Sequence, residues 1–312
     1  MEHRPLGSSG LSVSLVGLGT NNFGGRIDLE ASRQVIHAAL DHGVTHFDTA
    51  DIYGNSGGSE TVIGEVLGAR RNEVVLATKI GKPMAGSSEA HRGNRDYVRN
   101  AVEASLKRLK TDRIDLLYMH EPDPSTPIAE TLGALDALVK AGKVRHVAAS
   151  NYSASEIDAA VAAARSLKAE CFVAAQDEYS LTFRTHEPTL FPALKRNGLS
   201  LIPYFPLGGG ALTGKYRKDK PLPAGARHKS ADNRFLDPHW DAIEALHAFA
   251  DKHGRTMVEL AMSWLAQRPL VASVIAGATK PEQVIANAKA VEWKLTPADM
   301  AEIDRITLRQ AA

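Results

Sequence analysis

Two hydrophobic periods alternate along most of the chain. Short, nearly continuous apolar runs are typical of strands buried on both faces, and segments whose apolar residues recur every three or four positions are typical of amphipathic helices. This alternation predicts a parallel α/β fold. Strands are predicted at 14–19, 44–47, 73–78, 114–119, 144–149, 172–175, 199–203 and 272–275, and helices at 29–42, 58–69, 95–109, 127–141, 153–167, 187–197, 239–253 and 281–289.

Eight such strand and helix pairs predict a (β/α)8 TIM barrel. A barrel of this kind needs about 250 residues, so the 312 residues present accommodate one barrel with additions. The additions are an N-terminal hairpin at 4–13 and helices at 257–267 and 296–306. No linker or repeat divides the chain, which predicts a single domain over residues 1–312.

Several helix boundaries carry their own signals. Asp28 is a predicted N-cap, and Ser153 with Glu156 forms a predicted capping box. Glycines that stop helices follow three of the predicted segments, at Gly142, Gly198 and Gly254. Two segments lack either period: 83–94 is predicted to be a mobile loop, and the longer 207–237 is predicted to be a lid or binding loop.

The charge balance excludes two classes of partner. The 37 basic and 36 acidic side chains create no field that would gather nucleic acid or an anionic membrane. No stretch approaches the roughly 20 apolar residues of a membrane span, and the first residues lack the apolar core of a signal peptide. We therefore expect a cytoplasmic protein with a small-molecule partner and no requirement for an oligomer.

Four side chains suited to proton transfer stand at or just beyond the carboxyl ends of consecutive predicted strands. Asp48 ends the second strand, and Tyr53 follows on its loop. Lys79 and His120 end the next two. These ends share one rim of a parallel barrel, where active sites are built. A phenol, with an unperturbed pKa of about 10, donates a proton more readily beside a cation, so the four residues predict a proton-transfer site.

These four residues and the sequence around them resemble the aldo-keto reductase family. The segments that carry the resemblance are "GVTHFDTADIYG", "LATKIG", "DRIDLLYMHEPD", "VAASNYS" and "PYFPLGGGALTGKY", which occur in the family's order. The resemblance extends from "LGSSGLSVSLVGLGT" to "AGATKPEQVIANAKA", nearly the whole chain.

The resemblance implies an NAD(P)H-dependent reduction of an aldehyde or ketone to an alcohol, in a barrel whose bottom the hairpin closes. Tyr53 would give its proton to the carbonyl oxygen as hydride reaches the carbon, and Lys79 would lower the pKa of the phenol. Asp48 would hold Lys79, and neutral His120 would orient the carbonyl. Alcohol oxidation would use Tyr53 as the base.

Polar residues at further strand ends predict where the cofactor lies. Asn and Gln side chains offer both a donor and an acceptor, as a carboxamide requires. The resemblance assigns Ser150, Asn151 and Gln176 to the nicotinamide amide, Tyr204 to its ring and the following glycine segment to the pyrophosphate. The predicted cofactor-binding residues are Gly19, Thr20, Asn21, Asp48, Ser150, Asn151, Gln176, Tyr204, Phe205, Pro206, Leu207, Gly209, Leu212, Lys215, Gly277, Thr279, Gln283 and Asn287.

The segment 276–287 bears on the choice between NADPH and NADH. The N-terminus of its predicted helix is an anion site. Family members that strongly prefer NADPH carry Lys early in this segment and Arg in place of Gln283, whereas Gly277 stands at the early position here. Lys280 and Lys215 still supply positive charge, so NADPH is predicted over NADH.

Three competing motifs are weak. Residues 209–215 match the first part of a phosphate-binding P-loop, but Tyr216 stands where a Ser or Thr must reach magnesium. The twelve histidines form no close pairs with carboxylates or thiolates, so no metal is predicted. Cys171 lies in an apolar run and is interpreted as a buried hydrophobe.

The substrate pocket is predicted from residues at the same rim. Phe23, Ile52 and Met84 favour an apolar substrate face, whereas His91 and Arg92 suit a sugar or another polar carbonyl. The sequence does not choose between the two. The complete predicted pocket is Phe23, Ile52, Met84, His91, Arg92, Pro122 and parts of the 207–237 loop.

Two other functions are compatible with such a barrel. A nucleotide-sensing binding protein, as in the channel-associated branch of the family, would keep the cofactor residues and turn over slowly. The complete set of four catalytic residues speaks against it. An isomerase or lyase would need Lys79 as a Schiff-base former or a bound metal.

Overall fold

The structure is a computed structural model that describes residues 1–84, 91–224, 228, 230 and 233–308. Within these residues, the strands form a two-stranded antiparallel hairpin and an eight-stranded parallel sheet. The strands are β1 (His3–Pro5), β2 (Ser12–Ser14), β3 (Val16–Gly19), β4 (His46–Asp48), β5 (Val75–Ile80), β6 (Ile114–Met119), β7 (Val144–Ser150), β8 (Phe172–Glu178), β9 (Ser200–Tyr204) and β10 (Val274–Gly277).

The parallel sheet closes into a barrel. Its strand order is β10-β3-β4-β5-β6-β7-β8-β9, and a parallel bridge between Leu201 and Val271 joins the two ends. The Leu201 backbone N–H donates to the Leu270 oxygen at 2.7 Å, and the Ala272 N–H donates to the Leu201 oxygen at 3.0 Å. The predicted (β/α)8 barrel is therefore confirmed. The strand predicted at 272–275 begins at Val274, and Val271 before it forms the isolated closing bridge.

Helices surround the barrel and confirm the predicted alternation. The segment predicted at 187–197 becomes a regular helix only at Leu190, after a turn in which the Leu190 backbone N–H donates to the His186 oxygen at 2.9 Å. The helices are α1 (Leu29–Asp41), α2 (Tyr53–Leu67), α3 (Arg95–Leu109), α4 (Ile128–Lys140), α5 (Ala154–Leu167), α6 (Leu190–Asn197), α7 (Trp240–Lys252), α8 (Met257–Ala266), α9 (Pro281–Ala290) and α10 (Pro297–Leu308).

Local capping sets where several helices begin and therefore how long the loops at the rim are. The Asp28 side chain accepts the Ala31 backbone N–H at 2.9 Å and starts α1. Ser153 and Glu156 form the predicted capping box of α5. Of the two predicted long loops, residues 85–90, 225–227, 229 and 231–232 lie outside the described residues.

The N-terminal hairpin closes the end of the barrel opposite the predicted site. Leu6 and Val13 are fully buried and pack in one cluster with the inward-facing Leu116 and Tyr118 of β6. The Gly7 backbone N–H donates to the Ser200 Oγ at 2.8 Å, which fixes the hairpin to the start of β9. The hairpin therefore covers this end of the barrel, and the rim formed by the carboxyl ends of the strands lies opposite it.

Candidate active site

Adjacent strands bring a buried ion pair to this rim. Asp48 ends β4, and Lys79 lies near the end of the neighbouring β5. The Lys79 Nζ donates to the Asp48 Oδ1 at 2.5 Å and to the Thr49 backbone oxygen at 3.0 Å. Burial disfavours the Lys79 ammonium, but Asp48 and Tyr53 outweigh it, and the pKa of Lys79 is raised. The lysine is therefore a fixed cation in the barrel wall.

Tyr53 and His120 complete the predicted group of four. The Lys79 Nζ lies 5.3 Å from the centre of the Tyr53 ring. The His120 ring stands nearly perpendicular to that of Tyr53, with 5.9 Å between the ring centroids. The structure therefore brings together the four residues that the sequence places at separate strand ends.

The protonation states suit a proton donor and a neutral partner. Burial raises the pKa of Tyr53, and the Lys79 cation opposes this rise without cancelling it. Lys79 thus acts to lower the pKa of Tyr53, as predicted, but the net pKa is raised and the phenol stays protonated at neutral pH. Burial, with the Lys79 and Lys82 cations, lowers the pKa of His120 to about 2, so its imidazole is neutral. Among the described residues, the His120 Nδ1 has no hydrogen-bond partner.

Residues of β7 and β8 lock the carboxylate in place. The Gln176 Nε2 donates to the Asp48 Oδ2 at 2.8 Å, so Lys79 and Gln176 occupy different oxygens of Asp48. The Ser150 Oγ donates to the Gln176 backbone oxygen at 2.8 Å. The amide that is predicted to meet nicotinamide is thereby held by the Asp48 carboxylate.

Asn151, which follows β7, is bonded to residues at the ends of β6 and β9. Its backbone has a φ of 60°, in the left-handed region, and its Nδ2 donates to the His120 backbone oxygen at 2.8 Å. The Tyr204 hydroxyl donates to the Asn151 Oδ1 at 2.8 Å. Behind this residue, burial raises the pKa of Asp177 to about 7, and the nearby Asn151 N–H opposes the rise. The Asn151 backbone N–H donates to the Gln176 oxygen at 3.3 Å, so Asn151 is held at both its backbone and its side chain.

A cavity of about 590 Å³ opens in front of Tyr53 and His120. With one exception, the predicted cofactor residues line it. The exception is Leu212, which is fully buried. The predicted residues on the lining are Gly19, Thr20, Asn21, Asp48, Ser150, Asn151, Gln176, Tyr204, Phe205, Pro206, Leu207, Gly209, Lys215, Gly277, Thr279, Gln283 and Asn287.

The glycine segment after β9 forms one wall of this cavity. Gly209 and Gly210 have φ values of 60° and 110°, which favour glycine. A Cβ at Gly209 would stand 2.9 Å from the Phe235 ring, so the wall has room only for backbone there. With Lys215 on the same segment, the chemistry of this wall fits a pyrophosphate. The size of the cavity and the amide groups on its lining likewise fit a dinucleotide.

The predicted substrate residues are more scattered. Ile52 lines the cavity, but Phe23 is fully buried in the core. Arg92 is held in the loop, where its Nε donates to the Gly81 oxygen at 2.8 Å and its Nη2 to the Glu121 Oε1 at 2.9 Å. The remaining three lie off this lining: Met84 is half-buried, His91 is exposed, and Pro122 lines a separate cavity of about 170 Å³.

Other residues on the lining are absent from the sequence prediction. Arg26 and Lys82 follow β3 and β5, so a polar residue beyond a strand end was an available signal for both. Val258 projects from α8 and had no such signal. The lining residues outside the predicted set include Asn22, Arg26, Lys82, Gly210, Thr213, Val258 and Ile275. Across the described ranges, no group of three or more His, Cys, Asp or Glu side chains is placed to hold a metal.

Comparison with known proteins agrees with this geometry. The model of the aldo/keto reductase family matches residues 15–307. The chain belongs to this family. No helix in the described part of this family member is long and apolar enough to cross a membrane.

Three relatives of this aldo/keto reductase family member illustrate the range of names. A probable voltage-gated potassium channel subunit beta from Arabidopsis thaliana is 36% identical over 98% of this chain and 96% of its own. The uncharacterized oxidoreductase YrpG from Bacillus subtilis is 36% identical over 95% and 92%. The L-glyceraldehyde 3-phosphate reductase of Escherichia coli is 33% identical over 98% and 92%.

Proposed function

We propose that this protein reversibly reduces an aldehyde or ketone with a nicotinamide dinucleotide, and that Tyr53 is the proton donor. The observation that carries the proposal is the meeting of Tyr53 and His120 on a cavity wall directly backed by the Asp48 and Lys79 ion pair. The oxidoreductase and reductase names of two relatives support the same reaction class.

The chemistry follows from the charges at the rim. A bound reduced nicotinamide supplies the hydride. As negative charge grows on the carbonyl oxygen, the Tyr53 hydroxyl donates its proton to that oxygen. Lys79 stabilises the phenolate that remains, and Asp48 keeps Lys79 in place. Neutral His120 orients the carbonyl by a hydrogen bond. In the oxidation direction the Tyr53 phenolate accepts the alcohol proton.

The proposed dinucleotide site uses the other half of the cavity. Ser150, Asn151 and Gln176 would hold the carboxamide, and Tyr204 would pack on the ring. The glycine segment with Lys215 would hold the pyrophosphate. We propose NADPH over NADH because Lys215 and Lys280 supply positive charge near the phosphates.

Two variants test the catalytic assignment. Tyr53→Phe should lower kcat for carbonyl reduction by about 100- to 10,000-fold, the usual contribution of a positioned acid. The Kd for NADPH, measured by fluorescence quenching, should change by less than about twofold, because the hydroxyl acts on the transition state. Tyr118→Phe is the matched control, since Tyr118 is buried beside Lys79 but does not line the cavity.

The control should keep near wild-type kcat, because phenylalanine preserves the ring that faces Lys79. If Tyr53→Phe also lost NADPH binding, or if Tyr118→Phe were equally inactive, Tyr53 would not have the assigned role.

The channel-subunit name of the Arabidopsis relative supports a second candidate, a nucleotide-sensing binding protein. Such a protein would bind NADPH tightly and turn over slowly. A steady-state assay with ketones, aldoses and aromatic aldehydes, followed at the nicotinamide absorbance band with each dinucleotide, separates the two. Tight binding with negligible turnover of the whole panel would favour the sensor.

A further inference from the structure

The backbone directly after Tyr53 is unfavourable and depends on its surroundings. Residues 54–57 have φ values between 61° and 109°, in the left-handed region, and Asn55 and Ser56 among them carry side chains. The last residue of this turn, Gly57, packs on the Arg108 side chain of α3. A Cβ at Gly57 would stand 2.5 Å from the Arg108 Cδ and 2.7 Å from its Nε. Arg108 therefore lies directly against the turn that presents Tyr53.

A fully buried carboxylate, Glu60 of α2, fixes the guanidinium of Arg108. The Arg108 Nε donates to the Glu60 Oε2 at 2.7 Å. The other oxygen of Glu60 accepts the Thr78 hydroxyl at 2.6 Å. Thr78 is the residue before Lys79 on β5. One carboxylate thus connects the turn, through Arg108, with the strand that carries Lys79.

We propose that Glu60 and Arg108 are positioning residues, which hold Tyr53 in the place from which it transfers its proton. This inference rests on the proposed function and adds two residues to that site. Neither residue lines the cavity, so both act through the turn and Thr78 rather than on a ligand. Because a misplacement of about 1 Å is enough to slow a reaction about 100-fold, a displaced turn should slow proton transfer without weakening binding.

The segment that carries Tyr53 is anchored to β5 on both sides of the phenol. Before Tyr53, the Asp51 backbone N–H donates to the Lys79 oxygen at 3.0 Å. After Tyr53, the Glu60 carboxylate accepts the Thr78 hydroxyl of the same strand. The first anchor is made by the backbone, whereas the second is made by side chains and can be removed by substitution.

The charges around the pair explain why a cation is suited to this place. Asp51 is fully buried two residues before Tyr53, close to Glu60 and Arg108. Burial raises the pKa of Asp51 to about 7, Glu60 adds to the rise, and Arg108 opposes it. Arg108 therefore balances buried negative charge near the phenol. A lysine would keep this charge, whereas a methionine would keep only the apolar stem that packs on Gly57.

The experiment separates the rate of reduction from binding, with a carbonyl that the wild type reduces in the substrate panel. Arg108→Met should lower kcat by about 10- to 100-fold, because the turn then packs on a side chain that is no longer fixed. KM for the carbonyl and Kd for NADPH should each change by less than about twofold, since neither ligand touches the pair. Arg108→Lys should restore kcat to within about fivefold of the wild type, since it keeps the charge that faces Glu60.

Thr78→Val is a milder variant at the other end of the same link. It removes the hydroxyl that donates to Glu60 and should lower kcat by about 3- to 10-fold, as expected for one lost hydrogen bond to a charged group. Both substitutions act through the Glu60 carboxylate. The double variant with Arg108→Met should therefore lose less than the product of the two single losses.

Arg71→Met is the matched control. Arg71 donates to the buried Asp115 at 2.8 Å, so this variant also removes the cation of a buried pair. Asp115 lies near the start of β6, at the end of the strands remote from Tyr53. Arg71→Met should lower the free energy of unfolding but leave kcat of the folded protein within about twofold of the wild type.

Three results would overturn the inference and leave the proposed function intact. The first is an active wild type with unchanged kcat in Arg108→Met and Thr78→Val. The second is a weakened Kd for NADPH at unchanged kcat, which would assign the pair to dinucleotide binding. The third is an equal loss of kcat in Arg71→Met, which would attribute the effect to stability. If Arg108→Met does not fold, the kcat of Thr78→Val decides. A wild type that reduces no carbonyl would overturn the proposed function as well.

Discussion

By the family resemblance, Gln283 stands where an Arg is expected to bind the 2′-phosphate of NADPH. Its Oε1 accepts the Thr279 backbone N–H at 2.7 Å and the Lys280 N–H at 3.3 Å. The side chain therefore caps the N-terminus of α9 and takes up two amides that would otherwise be free to bind an anion. We therefore expect Gln283 to weaken phosphate binding there in two ways, because it lacks a charge and because it occupies two donors.

Gln283→Arg should therefore raise the preference for NADPH over NADH in kcat/KM by about tenfold, the value of one charged hydrogen bond. Gln283→Leu is the matched control, since it releases the same two amides without adding a cation, and it should produce a smaller rise. Initial rates with each dinucleotide measure both effects. An unchanged ratio in Gln283→Arg would place the 2′-phosphate elsewhere.

Asp177 should make stability depend on pH. Burial raises the pKa of Asp177 in the folded chain to about 7 from an ordinary value of 3.8. Between these two pH values, the folded protein keeps the Asp177 proton that the unfolded chain has lost. Folding stability from this group is full below pH 4 and is lost as the pH rises to about 7.

Asp177→Asn removes this penalty and keeps a side chain of nearly the same shape. Its free energy of unfolding relative to the wild type should therefore rise by at least about 1 kcal/mol between pH 5 and pH 8, since one pKa unit equals about 1.4 kcal/mol. Urea unfolding at the two pH values is the measurement. If the variant and the wild type differed in free energy of unfolding by the same amount at pH 5 and pH 8, Asp177 would already be ionised in the folded protein at pH 5.

At the scale of elements, a left-handed turn presents Tyr53 to the cavity. Residues 54–57 have φ values of 66°, 61°, 67° and 109°, and the right-handed part of α2 begins after them. Two of these residues, Asn55 and Ser56, are not glycine, and such a conformation costs about 1 to 2 kcal/mol for each. A Cβ at Gly54 would stand 2.4 Å from the Phe23 oxygen, so close backbone packing holds the turn.

The packing of the N-terminal hairpin against the barrel should depend on Gly7 far more than on Gly10. Gly7 and Gly10 have φ values of 54° and 75°, so alanine is strained at both. A Cβ at Gly7 would stand 2.2 Å from the Val173 oxygen, whereas a Cβ at Gly10 would meet nothing within 4 Å.

Gly7→Ala should lower the free energy of unfolding by at least about 1 to 3 kcal/mol more than Gly10→Ala, because backbone must move to admit the methyl group. Chemical denaturation of both variants measures the difference, and the shared strain of positive φ cancels in the comparison. Similar losses in the two variants would show that the hairpin does not pack tightly against β8.

At the scale of the whole molecule, the sequence predicts that residues 1–312 form one domain. Two features of the structure favour this. The barrel closes between β9 and β10, and Arg184 donates to Asp304 at 2.7 Å, which joins the loop after β8 to α10. Arg268 donates to the same Asp304 oxygen at 2.7 Å.

Thermal unfolding should therefore show one transition, with far-UV and near-UV circular dichroism reporting the same midpoint. Arg184→Met should lower that midpoint without splitting the transition, because it leaves Asp304 with one of its two cations. Two separate transitions in the wild type would contradict a single domain.

The sequence predicted the elements well because their signals are local. The Asp28 cap, the Ser153 and Glu156 box and the start of the regular part of α2 at residue 58 each depend on neighbours in the chain. The rim positions of Asp48 and Lys79 were also predictable, since parallel strands all end at the same side of a barrel.

The substrate side was less predictable because a loop residue's direction depends on packing between distant segments. Arg92 looked available in the sequence, yet Gly81 and Glu121 hold its guanidinium. Arg26 and Lys82 line the cavity instead, and Val258 reaches it from a helix far along the chain.

The sequence by itself determined the barrel, its family and the set of groups at its rim, because hydrophobic period and strand ends are written in consecutive residues. Only the tertiary structure decided which of those groups share a cavity, which are already paired and how far burial moves their pKa values. These properties depend on distances between residues remote in the chain, and on the loss of water around them, which no local pattern records.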